Sequence, residues 1–151
     1  REEGFTVDSS ATDARQLEEP TGDVLPRRVK AIWPGVDSTT QPWLMRAPAS
    51  SGTAGSTELL EMPVAALADH ASTEDMVAIV EAAYARLQKE PGRDVFVVLE
   101  LELEIAHDYA GRIGDAVEKL RAHRELAAHL LFATVAGAAE RARGMMAQSA
   151  K

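Results

Sequence analysis

Asp94-Val-Phe-Val-Val-Leu-Glu-Leu-Glu-Leu-Glu-Ile105 changes its pattern partway along. Val95 to Leu99 is an unbroken apolar run, the signature of a strand covered on both faces. Glu100 to Ile105 alternates strictly, as where one face turns to water or to a ligand. The stretch predicts a strand over 94–105 that begins as core, ends polar and runs into Ala106-His107-Asp108. In parallel α/β sheets and barrels, ligands bind at the C-terminal ends of strands. His107 and the row Glu100, Glu102 and Glu104 therefore stand where chemistry is common.

Working outward, the flanking segments alternate in period. On the C-terminal side a helix is expected from about Asp108 to Leu126, with Ile113, Ala116, Val117 and Leu120 on its apolar side. A strand His129–Val135 and a helix Ala136–Gln148 follow. On the N-terminal side, Ser72-Thr-Glu-Asp75 has the form of a capping box. Met76, Val80, Ala83, Tyr84 and Leu87 then fall on one helical face, which Pro91-Gly92 terminates. Glu58–Ala65 reads as a strand with Pro63 near its end. Short connections between alternating strands and helices imply parallel strands joined by crossover helices. The expected fold class is therefore α/β. Three such units neither close a sheet nor cover both its faces, so this is half of a larger fold or a small open one.

Residues 1–10 read as a helix end stopped by Gly4, then a short strand Phe5–Val7. Between 11 and 57 the chain is rich in Pro, Gly, Ser and Thr, including Trp33-Pro34-Gly35 and Gln41-Pro42-Trp43. It reads as a long connection with little regular structure inside one α/β unit spanning 1–151.

At 151 residues, a single domain with a real core is the default. The net charge of −8 and the absence of a basic stripe argue against nucleic acid and anionic membrane as partners. No apolar run approaches the roughly 18 residues that a membrane helix needs. With no cysteine there is neither a thiolate nucleophile nor a Cys-based zinc site. The chain starts at Arg1 with no signal-peptide pattern, which suggests an internal piece or a processed product.

Four stretches together carry a family resemblance. They are Glu3-Gly-Phe-Thr-Val-Asp-Ser-Ser10, Gln41-Pro-Trp43 followed by Leu59-Leu-Glu-Met-Pro-Val64, Val95–His107 with its late histidine, and Leu131-Phe-Ala-Thr-Val135 before the last helix. In order and spacing the chain resembles the C-terminal half of polysaccharide deacetylase-like carbohydrate esterases, whose fold is a distorted β/α barrel. The resemblance implies hydrolysis of acetyl groups on saccharide by a divalent metal, zinc first among candidates. In that family an aspartate and two histidines hold the metal, a second aspartate is the base and a late histidine the acid. The family's Thr-Phe-Asp-Asp strand end and His-x-x-x-His helix are absent, as is its R-x-P-x-G loop. His70, His107, His123 and His129 offer no i, i+4 pair. On this reading the chain holds no catalytic metal of its own and needs an N-terminal segment or a second chain to complete it.

Individual residues carry paired readings. His107 matches the late acid, since an imidazole titrates near neutrality; equally, it is a first-turn helix residue beside Asp108. Asp8 matches an aspartate that orients the base, and Asp8-Ser9-Ser10 is also good turn chemistry. Glu100, Glu102 and Glu104 suit a hard cation, or a face that is solvated or paired with Arg112 or Arg121. Trp33 and Trp43 suit stacking on sugar rings, or pinning of their own loop. The rival to a hydrolase is a non-catalytic module for sugar binding or protein association, with an open sheet edge that favours homo-oligomers. A weaker third is a nuclease-like site on Glu100 and Glu102, disfavoured by the acidity and the lack of an accompanying lysine.

Overall fold

A computed structural model describes residues 6–13, 32–45, 58–101 and 106–149. A three-stranded and a two-stranded sheet share one path, residues 59–67. It comprises β3 (Leu59–Glu61) and β4 (Val64–Leu67), with Met62-Pro63 between them. The amides of Leu60, Met62 and Val64 donate to the carbonyls of Thr6, Asp8 and Ala11 at 3.1, 2.8 and 2.8 Å. Residues 6–12 therefore run parallel to this path, as β1 (Val7–Asp8) and then through the bridge between Thr12 and Val64. The stretch from Asp8 to Ala11 spans one residue more than its partner from Met62 to Val64. That extra residue makes a bulge just after Asp8.

On the other flank the central path changes neighbours. Strand β2 (Trp43–Met45) lies antiparallel to β3, and β5 (Val98–Glu100) lies parallel to β4. The expected strand 58–65 thus exists, but Pro63 sits inside the path and separates halves with different partners. Strand β2 falls within 11–57, the stretch expected to hold little regular structure; residues 14–31 and 46–57 lie outside the described residues. In the described part of the expected strand 94–105, laddering is confined to β5. Before it, Phe96 is held by a side chain, donating its amide to Gln41 Oε1 (2.8 Å) and accepting from Gln41 Nε2 (3.2 Å). Gln41 thereby stands in for a strand neighbour. Residues 102–105, with Glu102 and Glu104, fall outside the described part, as do Gly4 and Phe5.

Helix α1 (Thr73–Lys89) starts where its sequence signals place it. Asp75 N donates to Ser72 Oγ at 3.1 Å and Ser72 N donates to Asp75 Oδ2 at 3.0 Å, which completes the capping box. The helix ends at Glu90, ahead of Pro91 and of Gly92, whose φ of 92° suits glycine. It connects β4 to the parallel β5, so the expected β-α-β crossover is present. Helix α2 (Ala106–Ala122) stops earlier than expected, because His123 is extended and caps a separate short helix, α3 (Arg124–Ala127), through Nδ1 and the Leu126 amide. Helix α4 (Val135–Ser149) closes the described chain.

The strand expected at His129–Val135 is absent. Thr134 instead caps α4, its Oγ1 accepting from the Gly137 amide at 3.2 Å, and this draws Val135 into the helix. Leu131 and Phe132 are left 72% and 51% exposed. A cavity of about 460 Å³ lies between this segment and Phe96, Val98, Tyr84 and Leu120.

The core has three centres. Leu60, Met62, Val64 and Val98 pack on Ala139 and Ala142 of α4. Ala66, Ala68 and Ala71 meet Met76 of α1 and Ala116 of α2, the alanines letting backbone and helix approach closely. Val80 of α1, Leu120 of α2 and Leu126 of α3 form the third, with Tyr84 packed against it. Among the described residues no helix is long and apolar enough to cross a membrane.

Candidate functional site: a carboxyl and tryptophan row on one sheet face

Strand alternation sorts the central path into two faces. Leu60, Met62 and Val64 face the α4 layer, where Val7 and Leu44 also pack. Glu61 therefore projects to the opposite face. Its register partners are Asp8 on β1 and Trp43 on β2, and register partners share a face at the roughly 4.8 Å spacing of neighbouring strands. Asp8, Glu61 and Trp43 thus form one row across three strands.

Each member is fixed locally. Glu61 is 0% exposed, and its Oε1 accepts from the Ala11 amide at 2.9 Å across the bulge. Its Oε2 is buried and has no hydrogen-bond partner, and the same holds for Thr12 Oγ1. Burial pushes the Glu61 carboxyl above the usual range. The Ala11 amide opposes that rise, the Asp8 charge adds to it, and the Ser10 amide weakly opposes it. Glu61 is therefore easier to protonate than a free glutamate. Asp8 is half-buried and accepts from the Ser9 amide (2.8 Å) and from Ser10 Oγ (3.0 Å), the turn chemistry read in the sequence. Trp33 meets Trp43 edge-on, with ring centroids 5.9 Å apart and planes at 68°. That geometry places a second indole beside the end of the row.

His107 lies elsewhere. It occupies the first turn of α2, its side chain 98% exposed and its Nδ1 3.2 Å from Asp108 Oδ1. From the level of Glu61 to the end of β4 is six residues of strand, or roughly 20 Å. The structure therefore brings Asp8, Trp43 and Trp33 together and leaves His107 at the far rim. Also at that rim, Asp69 Oδ2 lies 3.1 Å from His70 Nε2, and Arg112 donates to the carbonyls of Ala68, Asp69 and Ala71. Arg112 also lies over the Tyr109 ring, and Arg121 over that of Phe132.

A metal centre of the kind the resemblance implies needs several ligands converging on one point. Among the described residues no group of three or more His, Asp or Glu side chains is placed to hold an ion. These residues do not fit such a centre, and no step through a metal is derived from them. The sequence reading passed over Glu61. Its signal was present: one acidic residue inside the apolar run Leu59-Leu-Glu-Met-Pro-Val64. No protein-family model, curated protein or solved structure matches this chain.

Proposed function

We propose that the chain is the later portion of a deacetylase-like hydrolase acting on acetylated saccharide, with Asp8 and Trp43, on either side of the buried Glu61, as its saccharide-facing groups. The observation that carries this reading is the register itself, which aligns two carboxyl groups with an indole on one sheet face. An indole face covers the apolar side of a sugar ring, and the Asp8 carboxylate serves its hydroxyls and amide. The parallel strands with a crossover helix suit the later part of a β/α barrel. The divalent metal of that chemistry would be held by polypeptide outside the described residues, on an N-terminal segment or a second chain.

Acetate release from an N-acetylated chito-oligosaccharide tests the reading. The full-length protein carrying this sequence should release acetate and lose that activity to a chelator. Trp43→Ala should raise KM about tenfold, the equivalent of about 1.4 kcal/mol of stacking. Equal, chelator-resistant release by these 151 residues alone would show that the metal-bearing part is not needed.

A second reading, a non-catalytic module for sugar binding or protein association, is favoured by the exposed Leu131 and Phe132. Saccharide binding by the full-length protein without acetate release would select it.

A further inference from the structure

We infer that Glu61 is a positioning residue: its Oε1 clamps the Ala11 amide and so holds the bulge whose Ser9 amide and Ser10 hydroxyl fix the Asp8 carboxylate on the face it shares with Trp43. The reading of the row as a saccharide surface underlies this inference, but the clamp can be measured without it.

The backbone geometry supplies the argument. Asp8 O is fixed by the Met62 amide and Ala11 O by the Val64 amide, at 2.8 Å each. Between those two points the chain carries its extra residue. A bulge of this kind leaves an amide outside the ladder, and an unladdered buried amide must find another acceptor. Ala11 is 0% exposed, and its amide finds Glu61 Oε1 from 50 residues away in sequence. At the start of the bulge, the Asp8 carboxylate accepts from Ser9 N and Ser10 Oγ. The direction of Asp8 is thus set by the loop that Glu61 ties down.

A carboxyl is a demanding way to supply one acceptor. Its second oxygen is buried without a partner, which costs stability. Asp8 beside it penalises the charged form. The clamp needs only the acceptor, not the charge. Glutamine keeps the acceptor at the same reach, whereas methionine keeps the length and volume and removes it.

The test uses the full-length protein and two readouts, hydrogen exchange at the Ala11 amide and calorimetric binding of an N-acetylated chito-oligosaccharide. Glu61→Met should speed Ala11 exchange about tenfold and weaken the saccharide by a similar factor. Glu61→Gln should leave both within about twofold. Unchanged Ala11 protection in Glu61→Met, or lost protection in Glu61→Gln, would overturn the clamp. Lost protection with undiminished saccharide affinity would overturn the positioning role and leave the saccharide surface standing. Wild-type protein that binds no saccharide would overturn the saccharide surface and the role of Asp8 together, while Ala11 exchange still decides the clamp. If Glu61→Met does not fold, Glu61→Gln alone decides, because an ionised carboxylate requirement would show as lost protection there.

Discussion

Glu61 sets an expectation for pH as well as for binding. Its folded value is raised above the ordinary 4.5 by burial, so the folded state holds the proton more tightly than the unfolded chain. The contribution of Glu61 to stability is therefore most favourable below pH 4.5 and is lost as pH rises through the elevated value. Thermal unfolding of Glu61→Gln should lack that loss, giving a flatter profile than wild type above pH 4.5; parallel profiles would refute a buried, proton-holding carboxyl. Asp75 carries the opposite sign. Hydrogen bonds from the Ser72 hydroxyl and amide hold it below its usual 3.8, so its contribution is present at neutral pH and disappears as pH falls through the depressed value. At this scale the sequence was partly legible. Trp33 and Trp43 are legible as large aromatic side chains in a loop, and Asp8 through the family resemblance and its Asp-Ser-Ser turn chemistry. Glu61 was not, because its meaning comes from two strands distant in the chain.

At the scale of elements, legibility follows locality. Helix α1 was readable because its capping box, its apolar face and its Pro91-Gly92 stop are all encoded within the segment. Ser72→Ala should cost about 1 kcal/mol in urea unfolding. Met76, 0% exposed, should cost about 2–5 kcal/mol on truncation to alanine. A Met76→Ala loss under 1 kcal/mol would mean that α1 is not seated on the alanine cluster. Strand β2 was not readable, since three residues gain strand character only from pairing with β3. The segment 129–135 fails for the same reason in reverse. Leu131-Phe-Ala-Thr-Val135 has strand composition, but a strand without a neighbour leaves its backbone groups unladdered, and the cap at Thr134 is local and immediate.

At the scale of the molecule, the apolar surface is unevenly covered. Leu131 and Phe132 stand exposed beside a cavity of about 460 Å³. Such a patch predicts concentration-dependent self-association of the 151-residue chain. Sedimentation velocity should show it, and Leu131→Ser with Phe132→Ser should abolish it. A wild-type chain that sediments as a monomer at every concentration would refute this.

Pro63 settles how one path can serve two neighbours. The amides of Leu60, Met62 and Val64 all point to the β1 side, so the intervening odd-numbered positions point to the flank where β2 gives way to β5. Proline has no hydrogen to offer there. The splice between an antiparallel and a parallel edge therefore strands no donor at its seam. Any other amino acid at this position would bring an amide to the junction of the two ladders, a donor that must then find an acceptor of its own.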